Sequence, residues 1–199
     1  MSDKPESIPS QLRDDTQQVS LDRFDNHWYQ PGRHRLMQLI WYYVNHTLFN
    51  SYWLPFSGLK VSLLRLFGAR VGKGVVIKPK VNIKYPWKLS IGDHCWIGEK
   101  VWIDNLAEVK LGDHVCLSQG AMLLCGSHNY KKSSFDLIVG DISLEDGVWI
   151  GAQSVVCPGV TAASHSILSV SSVATQDMET FTIYQGNPAV AKRKRMIGD

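Results

Sequence analysis

From Val71 onward, branched or aliphatic residues recur at every sixth position: Val71, Ile77, Ile83 and Leu89, then Ile91, Ile97, Ile103 and Val109, then Leu111, Leu117 and Leu123. The phase resumes at Leu144 and runs through Ile150, Val156, Ala162, Leu168 and Ala174. Four residues after these rows comes a second position that stays small: Val75, Val81, Cys95, Val101, Ala107, Val115, Ala121, Val148, Ser154, Val160, Ser166 and Ser172, with Trp87 as the large exception. A period of six is neither the 3.6 of a helix nor the 2 of an ordinary strand, so it marks a repeat. Three six-residue sides make an eighteen-residue triangular coil. The starts at 71, 91 and 111 lie twenty apart, so these coils carry a two-residue corner insertion. The pattern predicts a β-solenoid in which each coil buries its apolar row only against its neighbours. Glycine often follows the aliphatic residue, at Gly72, Gly92, Gly98, Gly112 and Gly151, which predicts corners whose dihedrals favour glycine.

Upstream the pattern changes. Between residues 33 and 67, "RLMQLIWYYVNHTLF" and "LKVSLLRLF" carry apolar residues at helical spacing around an "LPFSG" break, which predicts two helices. The first is too short, and too interrupted by Gln38, Asn45 and His46, to span a bilayer. Two placements stay open for this pair: packed on the solenoid, or resting on the inner membrane with aromatic and arginine side chains at the interface. Residues 1–20 are polar and lack an apolar core, which predicts a disordered tail rather than a signal peptide, and a cytoplasmic protein. The expected organisation is a tail (1–20), a helical region (21–69), a solenoid (70–184) interrupted by a loop (124–143), and a C-terminal turn with a basic tail (185–199).

Composition changes this picture little. The chain of 199 residues is 44% hydrophobic and 20% charged with a net charge of +3, as expected of one globular domain. That charge argues against bulk nucleic-acid binding, and its densest basic run is confined to residues 192–195. Cys95, Cys116, Cys125 and Cys157 form no C-x-x-C pair and read as small, reduced core residues rather than metal ligands.

The candidate chemistry lies where the rhythm fails. Leu123 and Leu144 stand twenty-one steps apart, not a multiple of six, so the segment between them must leave the coil as a loop. Loops on a rigid scaffold are common places for catalytic groups, and this one holds a lone histidine, His128. The loop alone leaves a merely exposed histidine as the simpler reading. His94, His114 and His165 each fall three after the aliphatic residue and are expected to face outward; His27, His34 and His46 belong to the N-terminal region.

Units such as "IGDHCW", "IGEKVW", "LGDHVC" and "IGAQSV" resemble the hexapeptide-repeat acyltransferases. The longer stretches "LDRFDNHWYQPGR", "LLRLFGARVGKGVVIKPKVNIKYPW", "VWIDNLAEVKLGDHVCLSQGAMLLCGSHNY" and "GNPAVAKRKR" are similar to colanic-acid-type acetyltransferases of exopolysaccharide clusters. Galactoside, maltose and nodulation O-acetyltransferases are similar over the second half. The resemblance implies a mainly β fold, a single-stranded left-handed parallel β-helix with an N-terminal helical segment and a short C-terminal helix. It also implies an acetyl-CoA-dependent O-acetyltransferase that acts on a sugar or glycan precursor, needs no metal and works as a homotrimer.

Residue by residue, the resemblance makes His128 in "CGSHNY" the catalytic base. An imidazole of unperturbed pKa near 6.5 is a competent base for an attacking hydroxyl, and such bases contribute about 10²- to 10⁴-fold. A backbone N–H is expected to stabilise the oxyanion that follows. Asp104 and Asn105 in "WIDNLAEV" match substrate-contacting positions, although both are also common corner residues. Ala152, Val170 and Thr175 match positions along a groove between subunits that holds the pantetheine arm of CoA, and Arg193 matches a contact to its phosphates. Ala163, Ser169 and Ser171 stand where relatives usually have glycine, and Gln176 where lysine is common. Two other classes fit a solenoid: a γ-carbonic anhydrase, whose three zinc histidines this loop does not supply, and a non-enzymatic scaffold.

Overall fold

The computed structural model describes residues 18–198, so most of the polar tail expected over residues 1–20 lies outside the described residues. Strands of two or three residues stack into three parallel sheets, one per side of the coil. Sheet A holds Arg70–Val71, Leu89–Ile91, Val109–Leu111, Ile142–Leu144 and Thr161–Ala162; sheet B starts from Val76–Ile77 and Trp96–Ile97. Sheet C holds Asn82–Ile83, Trp102–Asp104, Met122–Leu124, Val155–Val156 and Val173–Ala174. The register matches the period: Val71 pairs with Ile91, Ile91 with Leu111 and Leu144 with Ala162, whereas Leu111 pairs across the interruption with Leu144.

The aliphatic rows form the core. Ile77, Ile83, Ile97, Ile103, Leu117, Leu123, Ile150 and Val156 are at most 1% exposed, each burial contributing roughly 1.5–3 kcal/mol. Ala121, Ser154 and Ser166 occupy the small positions and are equally buried. Cys95 and Cys125 are buried, Cys116 and Cys157 partly so, and all four are free thiols.

The corners correct one expectation. Gly72, Gly92, Gly98, Gly112 and Gly151 do not have positive φ. They are required by close stacking: a Cβ on Gly92 would lie 2.6 Å from the carbonyl carbon of Gly112 in the next coil. The left-handed backbone falls two residues later, at His94 (φ 56°), Lys100 (61°), His114 (58°), Gln153 (57°) and His165 (61°). This explains the histidines that share one repeat position; the His94 and His114 rings stack at 5.3 Å on successive coils. Aspartates bind the corners of sheet A together, since the backbone N–H groups of Lys73, Asp93 and Asp113 donate to Asp93, Asp113 and Asp146 of the following coil.

The first coil has no preceding coil to pair with, and the N-terminal helices supply partners in its place. Helix α1 (Arg35–Val44), a π-helical turn (Asn45–Phe49) and helix α2 (Ser57–Leu66) lie across it. Their side chains satisfy its open edge. Trp41 Nε1 donates to the Ile83 carbonyl (2.8 Å), and the Ile83 N–H donates to Asn45 Oδ1 (3.2 Å). The Ile77 N–H donates to Ser57 Oγ (3.0 Å), and Arg65 donates to the carbonyls of Val71 and Gly72. Lys60, wholly buried, donates from Nζ to the Lys78 carbonyl at 2.7 Å.

At the other end the structure departs from expectation. The basic C-terminal segment forms no helix: Thr182–Gly186 joins sheet B beside Ile167–Leu168, and Ala189–Lys194 folds back on it as an antiparallel strand. The last coil leaves a row of unpaired backbone groups, and an extended hairpin can pair with that row where a helix cannot.

Two outcomes follow. Gly92→Ala lowers the unfolding free energy by about 1–3 kcal/mol in urea denaturation, whereas Lys100→Gly stays within about 1 kcal/mol because its left-handed backbone suits glycine. Burial pulls the Lys60 ammonium down to about 8 from 10.5. Between those values the unfolded chain binds more protons than the folded one, so stability rises with pH across that window. Melting temperatures measured through it rise for the native chain and flatten for Lys60→Met.

Candidate functional site

The interruption between Leu123 and Leu144 is itself ordered. After Leu124 the buried Cys125 anchors the exit, its N–H donating to the Asp104 carbonyl (3.2 Å) and its carbonyl accepting from Gly140 (2.9 Å). Gly126–His128 then pairs antiparallel with Leu137–Val139, so the extra length becomes a β-hairpin standing on the corner between sheets C and A. His128 pairs with Leu137 at the end of that ladder, beside the tip.

The tip orients the imidazole. Phe135 adopts a left-handed backbone (φ 52°), rare for an aromatic residue, and thereby turns both its carbonyl and its ring towards His128. The rings stack at 4.4 Å with 6° between planes, and His128 Nδ1 lies 2.9 Å from the Phe135 carbonyl oxygen. A carbonyl only accepts, so Nδ1 carries the proton and Nε2 is the acceptor nitrogen of a neutral ring. Phe24 approaches at 5.6 Å, tilted by 58°, carried there by a segment whose Ser20 N–H donates to the Ser133 carbonyl (2.8 Å).

That N-terminal segment continues along the same corner. Tyr29 donates its hydroxyl proton to the Leu106 carbonyl (2.8 Å), and Lys88 Nζ donates to Leu106 (2.6 Å), Gln30 (3.2 Å) and the Tyr29 oxygen (3.3 Å). Burial pushes the Tyr29 phenol well above its ordinary value and pulls the Lys88 ammonium down. Burial also pushes the Cys125 thiol up to about 12, so it is no thiolate nucleophile despite standing at the loop's root.

The residues expected at the acceptor site separate. Asp104 lines a cleft of about 360 Å³ between α1 and sheet C, with Trp102, Tyr85, Tyr42, Lys84 and Asn82. Lys84 Nζ lies 3.0 Å from its Oδ1, yet off the hydrogen-bonding direction; among the described residues that buried oxygen has no hydrogen-bond donor. Asn105 is corrected to a corner role. It is fully buried, accepts from the Tyr85 N–H (2.9 Å) and donates to the carbonyls of Tyr85 (2.6 Å) and Lys88 (3.3 Å), which occupies its amide with the preceding coil.

Among the positions matched to CoA, Ala152 and Val170 come together on consecutive coils at the corner between sheets B and C, where the Ser171 N–H donates to the Ala152 carbonyl (2.9 Å). Thr175 sits on the corner that bears the histidine loop, two coils further on, and Arg193 lies exposed on the terminal strand paired with Ile183. Sequence reasoning missed Phe24, Phe135, Tyr29 and Lys88. Aromatic residues inside the otherwise polar stretches "RFDNHWY" and "KKSSFD" were the available signal.

Fold and loop together define a hexapeptide-repeat solenoid equipped with an oriented imidazole. The chain is 35% identical over 167 residues to the "Putative colanic acid biosynthesis acetyltransferase WcaF" of Escherichia coli (strain K12), covering 83% of this chain and 91% of that one. It is 27% identical over 135 residues to the galactoside O-acetyltransferase of the same organism, 64% of each chain. A hexapeptide-repeat acetyltransferase from Vibrio cholerae has the same fold, with a TM-score of 0.73 at 24% identity over 81% of this chain and 92% of that one. No protein-family model matches the chain. The chain belongs to the hexapeptide-repeat acetyltransferase family.

Asp104 and Asn105 should separate in chemical denaturation as they do in space. Asn105→Ala costs about 1–3 kcal/mol by orphaning buried backbone groups, whereas Asp104→Asn changes stability by less than about 1 kcal/mol.

Proposed function

We propose that this protein transfers acetyl groups from acetyl-CoA to a hydroxyl of a sugar or glycan precursor, in the building of exopolysaccharide or another cell-surface polysaccharide. The observation that carries this reading is the His128 Nδ1 contact to the Phe135 carbonyl, because it leaves Nε2 as a base with a fixed direction. Family membership supplies the transfer chemistry, and the names of the relatives supply the acceptor class.

In this mechanism Nε2 takes the proton from the acceptor hydroxyl as its oxygen attacks the thioester carbonyl. The tetrahedral intermediate collapses with cleavage of the C–S bond. The CoA thiolate then recovers the proton from the imidazolium, and the neutral imidazole returns. Phe135 and Phe24 hold the ring in place, and the Phe135 carbonyl stabilises the imidazolium through Nδ1–H. Asp104, beside Lys84 in the cleft, offers its carboxylate to a sugar hydroxyl, while Trp102 and Tyr85 present faces to the apolar side of the ring.

CoA runs past Ala152, Val170 and Thr175, with Arg193 on its phosphates, in a groove completed by a neighbouring subunit of a homotrimer. Location in the cytoplasm, where acetyl-CoA is available, belongs to the same reading. No helix among the described residues is long and apolar enough to cross a membrane.

His128→Ala tests the mechanism. Acetyl-CoA turnover with a verified sugar acceptor falls by about 10²- to 10⁴-fold at an unchanged melting temperature. Turnover within about threefold of the native chain would remove His128 as the base.

A further inference from the structure

The charge of this chain is polarised. From Asn26 to Gly92 there is no aspartate or glutamate, against ten lysines and arginines; the remainder, with eleven basic and eighteen acidic residues, is net −7. The acid-free stretch is the end of the solenoid formed by the two capping helices and the first coil. Those helices bury only one side of themselves. On α1, Trp41 points into the core, while Leu36, Leu39, Ile40 and Tyr43, at the i, i+3, i+4, i+7 spacing of one helical stripe, are exposed.

On α2 the buried residues are Lys60, Val61 and Leu64, and the outer stripe is Phe56 (71% exposed), Leu59 and Leu66 (77%). Between the helices, Trp53 is 88% exposed beside Tyr52, whose ring lies 4.9 Å from Lys80 Nζ. Arg33 and Arg35, at the start of α1, are also exposed. Carboxylates of the next coil reach this end only at its margin, where Glu99 accepts from the Tyr52 hydroxyl and Asp93 and Asp104 pair with Lys73 and Lys84. Apolar stripes with an exposed tryptophan, in a surround with more exposed cations than carboxylates, are the composition of a helix pair that lies in a lipid interface.

We infer that the helical cap docks this protein on an anionic phospholipid bilayer, with Trp53, Phe56 and Leu66 entering the interface and its exposed cations, among them Arg33, Arg35, Arg65 and Arg70, facing the headgroups. Charge decides between a bilayer and a second copy of the chain. Lys60 is buried, and Asp93 and Asp104 pair with Lys73 and Lys84, but Arg33, Arg35, Arg65, Arg70 and Lys78 stay exposed on each cap. Two caps placed face to face would set these like charges together, whereas an anionic leaflet supplies the opposite charge. Neither helix is long enough to cross, so the contact is peripheral. Only the consequence, an active site held close to a lipid-borne acceptor, rests on the acetyltransferase reading.

The test is co-sedimentation of the full chain with vesicles of phosphatidylethanolamine and phosphatidylglycerol, against vesicles of phosphatidylcholine alone. The expected result is binding to the anionic vesicles that weakens with salt, about tenfold or more above binding to the neutral ones. The triple variant Trp53→Ser, Phe56→Ser, Leu66→Ser loses about tenfold or more of that binding. It keeps the native melting temperature and native turnover with a soluble acceptor. Absence of binding to anionic vesicles, or equal binding by the native chain and the variant, overturns the inference. So does a change in oligomeric mass in the variant with vesicle binding intact, which would make the face a contact between copies. Turnover in His128→Ala is read separately, so loss of the enzymatic reading and loss of the membrane reading remain distinct.

Discussion

Each coil of this protein can bury its apolar residues and satisfy its backbone only against the coils above and below it. One eighteen-residue triangle has no interior of its own, and its short strands have no partners within the same turn. Stacking at close range supplies both. It forces glycine where successive corners touch, as at Gly92 against Gly112, and small side chains where the interior narrows. The first and last coils lack one neighbour each, and the chain handles the two ends differently. Helix side chains both donate hydrogen bonds to the first edge and accept from it, and a β-hairpin extends sheet B at the last.

The same constraint makes the site possible. A scaffold fixed coil by coil tolerates extra chain only at its corners, and the fifteen residues beyond a regular coil that separate Leu111 from Leu144 are expelled at one of them. The excess folds into a hairpin rooted by Cys125 and Gly140, with His128 beside its tip. The imidazole is then held by parts far apart in sequence: Phe135 from the loop and Phe24 from the N-terminal segment. The geometry at His128 thus depends on the rigid solenoid beneath the loop and on the chain folded over it. The helical cap serves the solenoid with its inner face and leaves its apolar, cationic outer face open.

Much of this was legible beforehand, because a six-residue period is a local rule. The phase of Ile97, Leu117 and Ile150 gives the register of sheet B directly, and the phase error between Leu123 and Leu144 gives the loop. Resemblance then singled out His128, which repeat arithmetic alone left among ordinary loop histidines. The corner glycines are legible only in part: spacing shows that they are needed but cannot separate a positive φ from a close approach. Asn105 suits a corner and a sugar equally by residue type, and only its three bonds to the preceding coil decide the matter.

By itself the sequence determined the repeat, the register, the interruption and the histidine within it, since each depends on residues separated by fixed steps along the chain. Tertiary structure decided which nitrogen of His128 meets the Phe135 carbonyl, which of Asp104 and Asn105 lines the cleft, and how the two ends are closed. Those outcomes depend on contacts such as Phe24 with His128, Asn45 with Ile83 and Ile167 with Ile183. No period along the chain encodes such contacts. They arise from directional hydrogen bonds and ring packing that exist only after the coils have stacked.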